Sequence, residues 1–81
     1  MQVRVLLFGD EARKAGAEHV VVELRDGAVA ADVRPAVERA CPALAGSIDH
    51  VRVARNCAYA RGDEAIGRGD ELALIGLVSG G

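Results

Sequence analysis

Ala30-Ala31-Asp32-Val33-Arg34-Pro35-Ala36-Val37-Glu38-Arg39-Ala40-Cys41 is the stretch on which the fold turns. Val33, Val37 and Ala40, with Leu44 beyond them, recur at intervals of three and four, the spacing of one apolar helix face. Pro35 limits where that helix starts, because an interior proline removes a backbone hydrogen bond and clashes with the preceding turn at about 3 kcal/mol or more. With Asp32 as N-cap, Pro35 falls in the first turn, where its missing N–H matters little. A start near Ala30 strains the helix at Pro35. Pro42 then closes the segment.

Strand-like runs lie on both sides of this helix. Gln2 to Phe8 alternates, with Val3, Val5 and Leu7 on one face. Gly9-Asp10 opens a loop or short helical turn through Gly16, and His19 to Leu24 reads as a second strand before the Asp26-Gly27 turn. Downstream, His50 to Ala54 reads as a third strand and Cys57 to Ala60 as a short fourth. Gly67-Arg68-Gly69-Asp70 is a turn, and Glu71 to Val78 the last strand. A hairpin, one central helix and further strands make an α+β domain: a mixed sheet of four to five strands with one main helix packed on one face. A right-handed connection through the helix makes the first and last strands parallel neighbours, which is the ubiquitin-like β-grasp arrangement.

Size and composition bound the function. A chain of 81 residues holds one domain, and a domain this small buries only about 60% of the surface its unfolded chain exposes. Its core is aliphatic, since Phe8 and Tyr59 are the only aromatic residues. That scarcity and a net charge of −2 argue against nucleic-acid binding, which uses stacking surfaces and clustered basic charge. No apolar run of about 18 residues is present to span a membrane, and the opening residues lack the layout of a secretion signal. Cys41 and Cys57 are too few for a disulfide framework, so the chain is expected to be cytoplasmic with both thiols reduced.

No side-chain constellation suggests catalysis. Cys41 beside Pro42 reads as packing, and Cys57 has no flanking His or Lys to make it a nucleophile. His19 and His50 are isolated and lack ligand spacing, so no metal site is expected. The acidic pairs Asp63-Glu64 and Asp70-Glu71 read as solvated turn residues that also steer basic partners.

The informative segment is the end, Leu77-Val78-Ser79-Gly80-Gly81. Residues 1–76 read as the β-grasp domain and 77–81 as a flexible tail. Two glycines alone are also what a frayed end looks like; following a strand in this element order, they gain a purpose. Glycine lacks a Cβ and threads channels closed to other residues. Five extended residues reach at most about 17 Å, enough to carry the Gly81 carboxylate into another protein's active site. A carboxylate is a poor acyl donor until activated, typically by adenylation. The chain has no Gly-x-x-x-x-Gly-Lys-Ser/Thr loop, so an external ATP-using enzyme is implied.

Here the sequence resembles a known family. Asn56 to Gly81, with Gly69-Asp70-Glu71-Leu72-Ala73-Leu74-Ile75 ahead of Val78-Ser79-Gly80-Gly81, is similar to the small subunit of molybdopterin synthase (MoaD-type). So are Val3-x-Val5-Leu6-Leu7-Phe8-Gly9, Ala15-Gly16, and Asp26-Gly27 ahead of Ala31-Asp32-Val33. The chain departs in having Gly76-Leu77 where members usually carry two prolines, Arg13 one place beyond the usual arginine, and Val29 for the usual Thr before the helix. The resemblance implies that an E1-like adenylating enzyme activates Gly81 and that a sulfur donor converts it to a thiocarboxylate. Leu77, Val78, Ser79 and Gly80 then thread the active site of a larger synthase subunit, where the pterin dithiolene forms. It also implies that Tyr59 and Ile75 lie on the sheet face that docks partners, that catalytic side chains belong to the large subunit, and that the chain carries no cofactor of its own. Sulfur carriers for thiamine, cysteine or tRNA thiolation are the alternatives, as is a ubiquitin-like modifier or binding module.

Overall fold

The computed structural model describes residues 1–48 and 50–76. Five strands form one mixed sheet: β1 (Gln2–Leu6), β2 (His19–Glu23), β3 (Arg52–Arg55), β4 (Ala58–Tyr59) and β5 (Leu72–Ile75), in the order β2-β1-β5-β3-β4. Helix α1 (Gly9–Ala15) joins β1 to β2, and α2 (Val33–Ala40) follows the hairpin. The arrangement is the expected α+β β-grasp fold.

Alternation sets the inner face. Val3 and Val5 of β1, Val22 of β2, Val53 of β3 and Leu72 and Leu74 of β5 are buried, and Val33, Ala36 and Val37 of α2 close over them. Leu44 and Ile48, on the far side of Pro42, fill the end of the core. Each fully buried aliphatic side chain contributes about 1.5–3 kcal/mol from removal of apolar surface from water. No polar side chain is buried among the described residues.

β1 pairs antiparallel with β2 from Gln2↔Glu23 to Leu6↔His19. It pairs parallel with β5 at Val5↔Leu72 and Leu6↔Ala73, as the crossover through α2 requires. The glycine–aspartate segment after β1 forms more than a turn. Asp10 and Glu11 in the first turn of α1, and Arg13 and Lys14 in the last, complement the helix dipole. Gly16, at φ 69°, then ends the helix in the left-handed conformation that glycine adopts without steric cost.

The start of α2 corrects one expectation. Asp32 stands at the N-cap position of α2 as expected, but its side chain makes no cap hydrogen bond to that helix and its backbone is helical, because a 3₁₀ turn over Ala30–Asp32 runs into α2. The Asp32 carboxylate instead accepts the backbone N–H of Val29 at 2.9 Å, half of a capping box. The amides of Ala30 and Ala31 donate to the carbonyls of Glu64 and Gly62, each at 2.9 Å. Tertiary partners therefore satisfy the first orphan donors that a Thr at position 29 would otherwise serve.

Strand ends also shift. Phe8 leaves β1 to precede α1, His50 lies in a turn before β3, and Cys57 belongs to the β3–β4 connection. The expected extension of β5 through Leu77 and Val78, and the tail 77–81, lie outside the described residues. Among the described residues no helix is long and apolar enough to cross a membrane.

Candidate functional site

Opposite α2, the sheet presents a second face made of the alternate strand positions. Leu6 of β1 and Ala73 of β5 are directly paired, Ala54 of β3 pairs with both Ala73 and Tyr59, and Ile75 pairs with Arg52. With Phe8 at its end, this face forms a shallow, mainly apolar groove of about 400 Å³. Phe8 and Tyr59 are 52% and 54% exposed, so both aromatic side chains of the protein are displayed here rather than buried. In a chain with so few aromatics, both stand on one solvent-facing, mainly apolar surface, the kind of patch that interaction sites use.

Tyr59 is held in place. The Arg52 guanidinium lies over its ring, 4.2 Å from the centroid, which orients the ring and puts a positive charge at the groove edge. The β3–β4 turn carrying this face is a two-residue connection at Asn56 and Cys57, both with left-handed backbone (φ 51° and 69°). Two left-handed central residues match the twist of a hairpin. Asn adopts that geometry readily; a cysteine is held there by its surroundings.

Those surroundings are a polar clasp onto the start of β5. The Asn56 amide N–H donates to the Glu71 carbonyl at 2.8 Å, and its side-chain oxygen accepts the Glu71 N–H at 3.0 Å. Arg55 donates to Asp70 at 2.7 Å and to Glu64 at 3.1 Å. Asp70 also accepts the Gly67 amide at 2.7 Å and the Asn56 side chain at 3.2 Å. The hydrogen bond from Arg55 foremost, then those from Gly67 and Asn56, hold the Asp70 carboxyl well below its ordinary 3.8, at about 2. The hydrogen bonds to Asp70 first, then to Glu64, push the Arg55 guanidinium up. Asp70 and Glu64 are thus structural clasps, not the solvated turn residues their sequence context suggests; Asp63 does stay on the surface, against Arg61.

The structure brings Tyr59 and Ile75 together on this one groove, and adds Leu6 and Phe8, which sequence reasoning missed. The signal was present: Leu6 and Phe8 are out of phase with the buried set Val3, Val5 and Leu7. Cys57 also borders the groove, exposed, with its Sγ 4.0 Å from a Glu71 carboxylate oxygen. Cys41 is half-buried against the core, and His19 and His50 are exposed. Among the described residues no group of His, Cys, Asp and Glu is placed to hold a metal ion.

The chain leaves the groove at its rim. Ile75 lines it, and Gly76 follows immediately, with the Glu11 carboxylate of α1 so close that a Cβ there would sit 3.3 Å from it. Leu77, Val78, Ser79, Gly80 and Gly81, singled out above as the working segment, lie outside the described residues.

A five-stranded mixed sheet wrapped around one main helix, with an apolar outer face ending at the last strand, defines a ubiquitin-like β-grasp protein. Residues 5–81 match the ThiS family, and the chain belongs to that family of ubiquitin-like sulfur carriers. It is 40% identical to small archaeal modifier protein 1 of Haloferax volcanii, over 93% of this chain and 95% of that one. It is 37% identical to the molybdopterin synthase sulfur carrier subunit of Chlamydomonas reinhardtii, covering all of both chains. The crystal structure of the Haloferax modifier superimposes over 100% of both chains with a TM-score of 0.87 at 37% identity.

Proposed function

We propose that this chain is the sulfur-carrying small subunit of a molybdopterin synthase, acting in the cytoplasm through the carboxylate of Gly81. The observation that carries this reading is the end-to-end likeness to a chain named as a molybdopterin synthase sulfur carrier subunit, which spans the Gly80-Gly81 terminus. An E1-like enzyme transfers the adenylyl group of ATP to Gly81, releasing pyrophosphate. A sulfur donor then displaces AMP, leaving a thiocarboxylate. The groove around Tyr59 and Ile75 docks successive partners while Leu77 to Gly80 thread their active sites. In the large subunit the thiocarboxylate gives up its sulfur to the pterin precursor, and water hydrolyses the acyl group left on Gly81 back to a carboxylate.

A second reading has its own support in the 40% identity to an archaeal modifier protein. On that reading the activated Gly81 is attacked by a lysine amine of a target and ends as an amide. One experiment separates the two. The thiocarboxylated chain is mixed with the large subunit and cyclic pterin precursor, and in parallel with cell extract, ATP and the activating enzyme. Formation of the dithiolene with regeneration of the Gly81 carboxylate supports the carrier. Lysine-linked conjugates without dithiolene support the modifier.

A further inference from the structure

We propose that β2 is a self-pairing edge, through which two copies of this chain join antiparallel about a two-fold axis at Val21. This goes beyond the sulfur-carrier reading and does not depend on it. β2 lies at one end of the sheet, and the other end is closed by β4, only two residues long. β2 runs five residues without a bulge against β1 and contains neither proline nor lysine, the usual defences of an exposed edge. Its sequence is His19-Val20-Val21-Val22-Glu23, with Val21 52% exposed.

The hydrogen-bond phase of the strand makes this edge specific. Leu7 N–H donates to the Glu18 carbonyl at 2.8 Å, and Leu24 N–H donates to the Met1 carbonyl at 2.8 Å. In an antiparallel ladder the bonded pairs recur every second residue. Val20 and Val22 therefore bond inward to β1, while the N–H and C=O groups of His19, Val21 and Glu23 point out of the sheet's open edge.

Two such edges fit one another in a particular register. Setting Val21 against Val21 of the second copy places His19 against Glu23 and Glu23 against His19, so all three outward residues form hydrogen-bonded pairs. His19, Val21 and Glu23 are exposed and share one face. The cross-strand contacts on that face are thus an imidazole donor facing a carboxylate acceptor, a valine pair, and the same imidazole–carboxylate pair again. A register shifted by two residues keeps backbone bonds but breaks both His–Glu pairings. The partner this charge pattern selects is a second copy of the same chain. Tyr59 on β4 and Gly76 after β5 lie beyond β1 from this edge, and the groove approaches it only at Leu6, the cross-strand neighbour of His19, so the two copies form one continuous sheet with Tyr59 of each left uncovered.

The test is light scattering and amide exchange on the whole chain from about 10 μM to about 1 mM. The expected result is a concentration-dependent rise toward the dimer mass, with slowed exchange confined to the His19, Val21 and Glu23 amides. Val21→Pro removes an outward N–H without touching the β1 ladder, and keeps the protein monomeric. Glu23→Lys sets Lys against His and weakens the dimer at least tenfold. The double variant His19→Glu, Glu23→Lys restores opposite charges in the same register and recovers it, a readout that stands even if Val21→Pro folds poorly. A chain that stays monomeric throughout, or a dimer indifferent to the charge variants, overturns the proposal.

Discussion

Replacing Leu74 and Ile75 with alanine, one at a time, separates what the two faces of β5 do. Leu74 is fully buried in an aliphatic core, and Ile75, the next residue, is half-buried on the groove. Leu→Ala in a core costs about 2–5 kcal/mol, more where the walls cannot collapse. Leu74 sits in the middle of the sheet beside Val53, so a value of about 3–4 kcal/mol is expected. A chain of this length has a total stability of about 4–12 kcal/mol, so Leu74→Ala removes about a quarter of it or more. With a urea slope of about 1 kcal/mol per molar, the midpoint falls by about 3 M. Ile75→Ala gives back only part of one side chain's burial and costs about 1 kcal/mol or less. It removes an apolar anchor from the face proposed to dock partners, where truncating an anchor costs about 1 kcal/mol or more of binding, about fivefold or more in Kd. The assays are urea titration of each variant and calorimetric titration with the large subunit. Equal destabilisation by both variants, or unchanged affinity for Ile75→Ala, would refute the division of labour between the faces.

The clasp at Asp70 gives a pH dependence of fixed sign. Its carboxyl stays ionised in the folded chain down to about 2, against 3.8 when free of partners. Its contribution to stability is therefore fully present above pH 3.8 and is lost as the pH falls toward 2. Asp70→Asn lowers the thermal midpoint at neutral pH, and the gap from the parent protein narrows across that window in melts taken at stepped pH. Asp32→Ala removes the acceptor for the Val29 amide and costs about 1 kcal/mol in denaturant titration. Asp32→Asn, which keeps an acceptor oxygen, restores most of that loss.

The fold was legible because a few residues leave little choice. One helix pattern bounded by Pro42, an opening strand with buried Val3, Val5 and Leu7, and a closing strand with alternating Leu72 and Leu74 admit few arrangements of a small sheet. What escaped the sequence were interactions that close through space. Asp32 does stand at the N-cap position of α2, yet its side chain turns back to the Val29 amide, and the 3₁₀ turn that precedes it is held by the carbonyls of Gly62 and Glu64, thirty residues on. Asp70 looks solvated because its neighbours in sequence are turn residues, whereas its partner Arg55 is reached only once β3 and β5 pair. Of the groove residues, Tyr59 and Ile75 were named on the resemblance, which placed them on one face of the sheet. Leu6 and Phe8 fall in the opposite phase to Val3, Val5 and Leu7, but the run Val5 to Phe8 is apolar throughout, so no polar contrast marked their face as the outer one.

The central claim is that Gly81 is the working group, and intact mass measures it most directly. The purified chain is incubated with ATP, a sulfur donor and the adenylating enzyme, beside a variant lacking Gly81. The account predicts a gain equal to one oxygen replaced by sulfur, present in the full chain and absent from the variant. An unchanged mass with competent activating enzymes, or the same gain without Gly81, would contradict it.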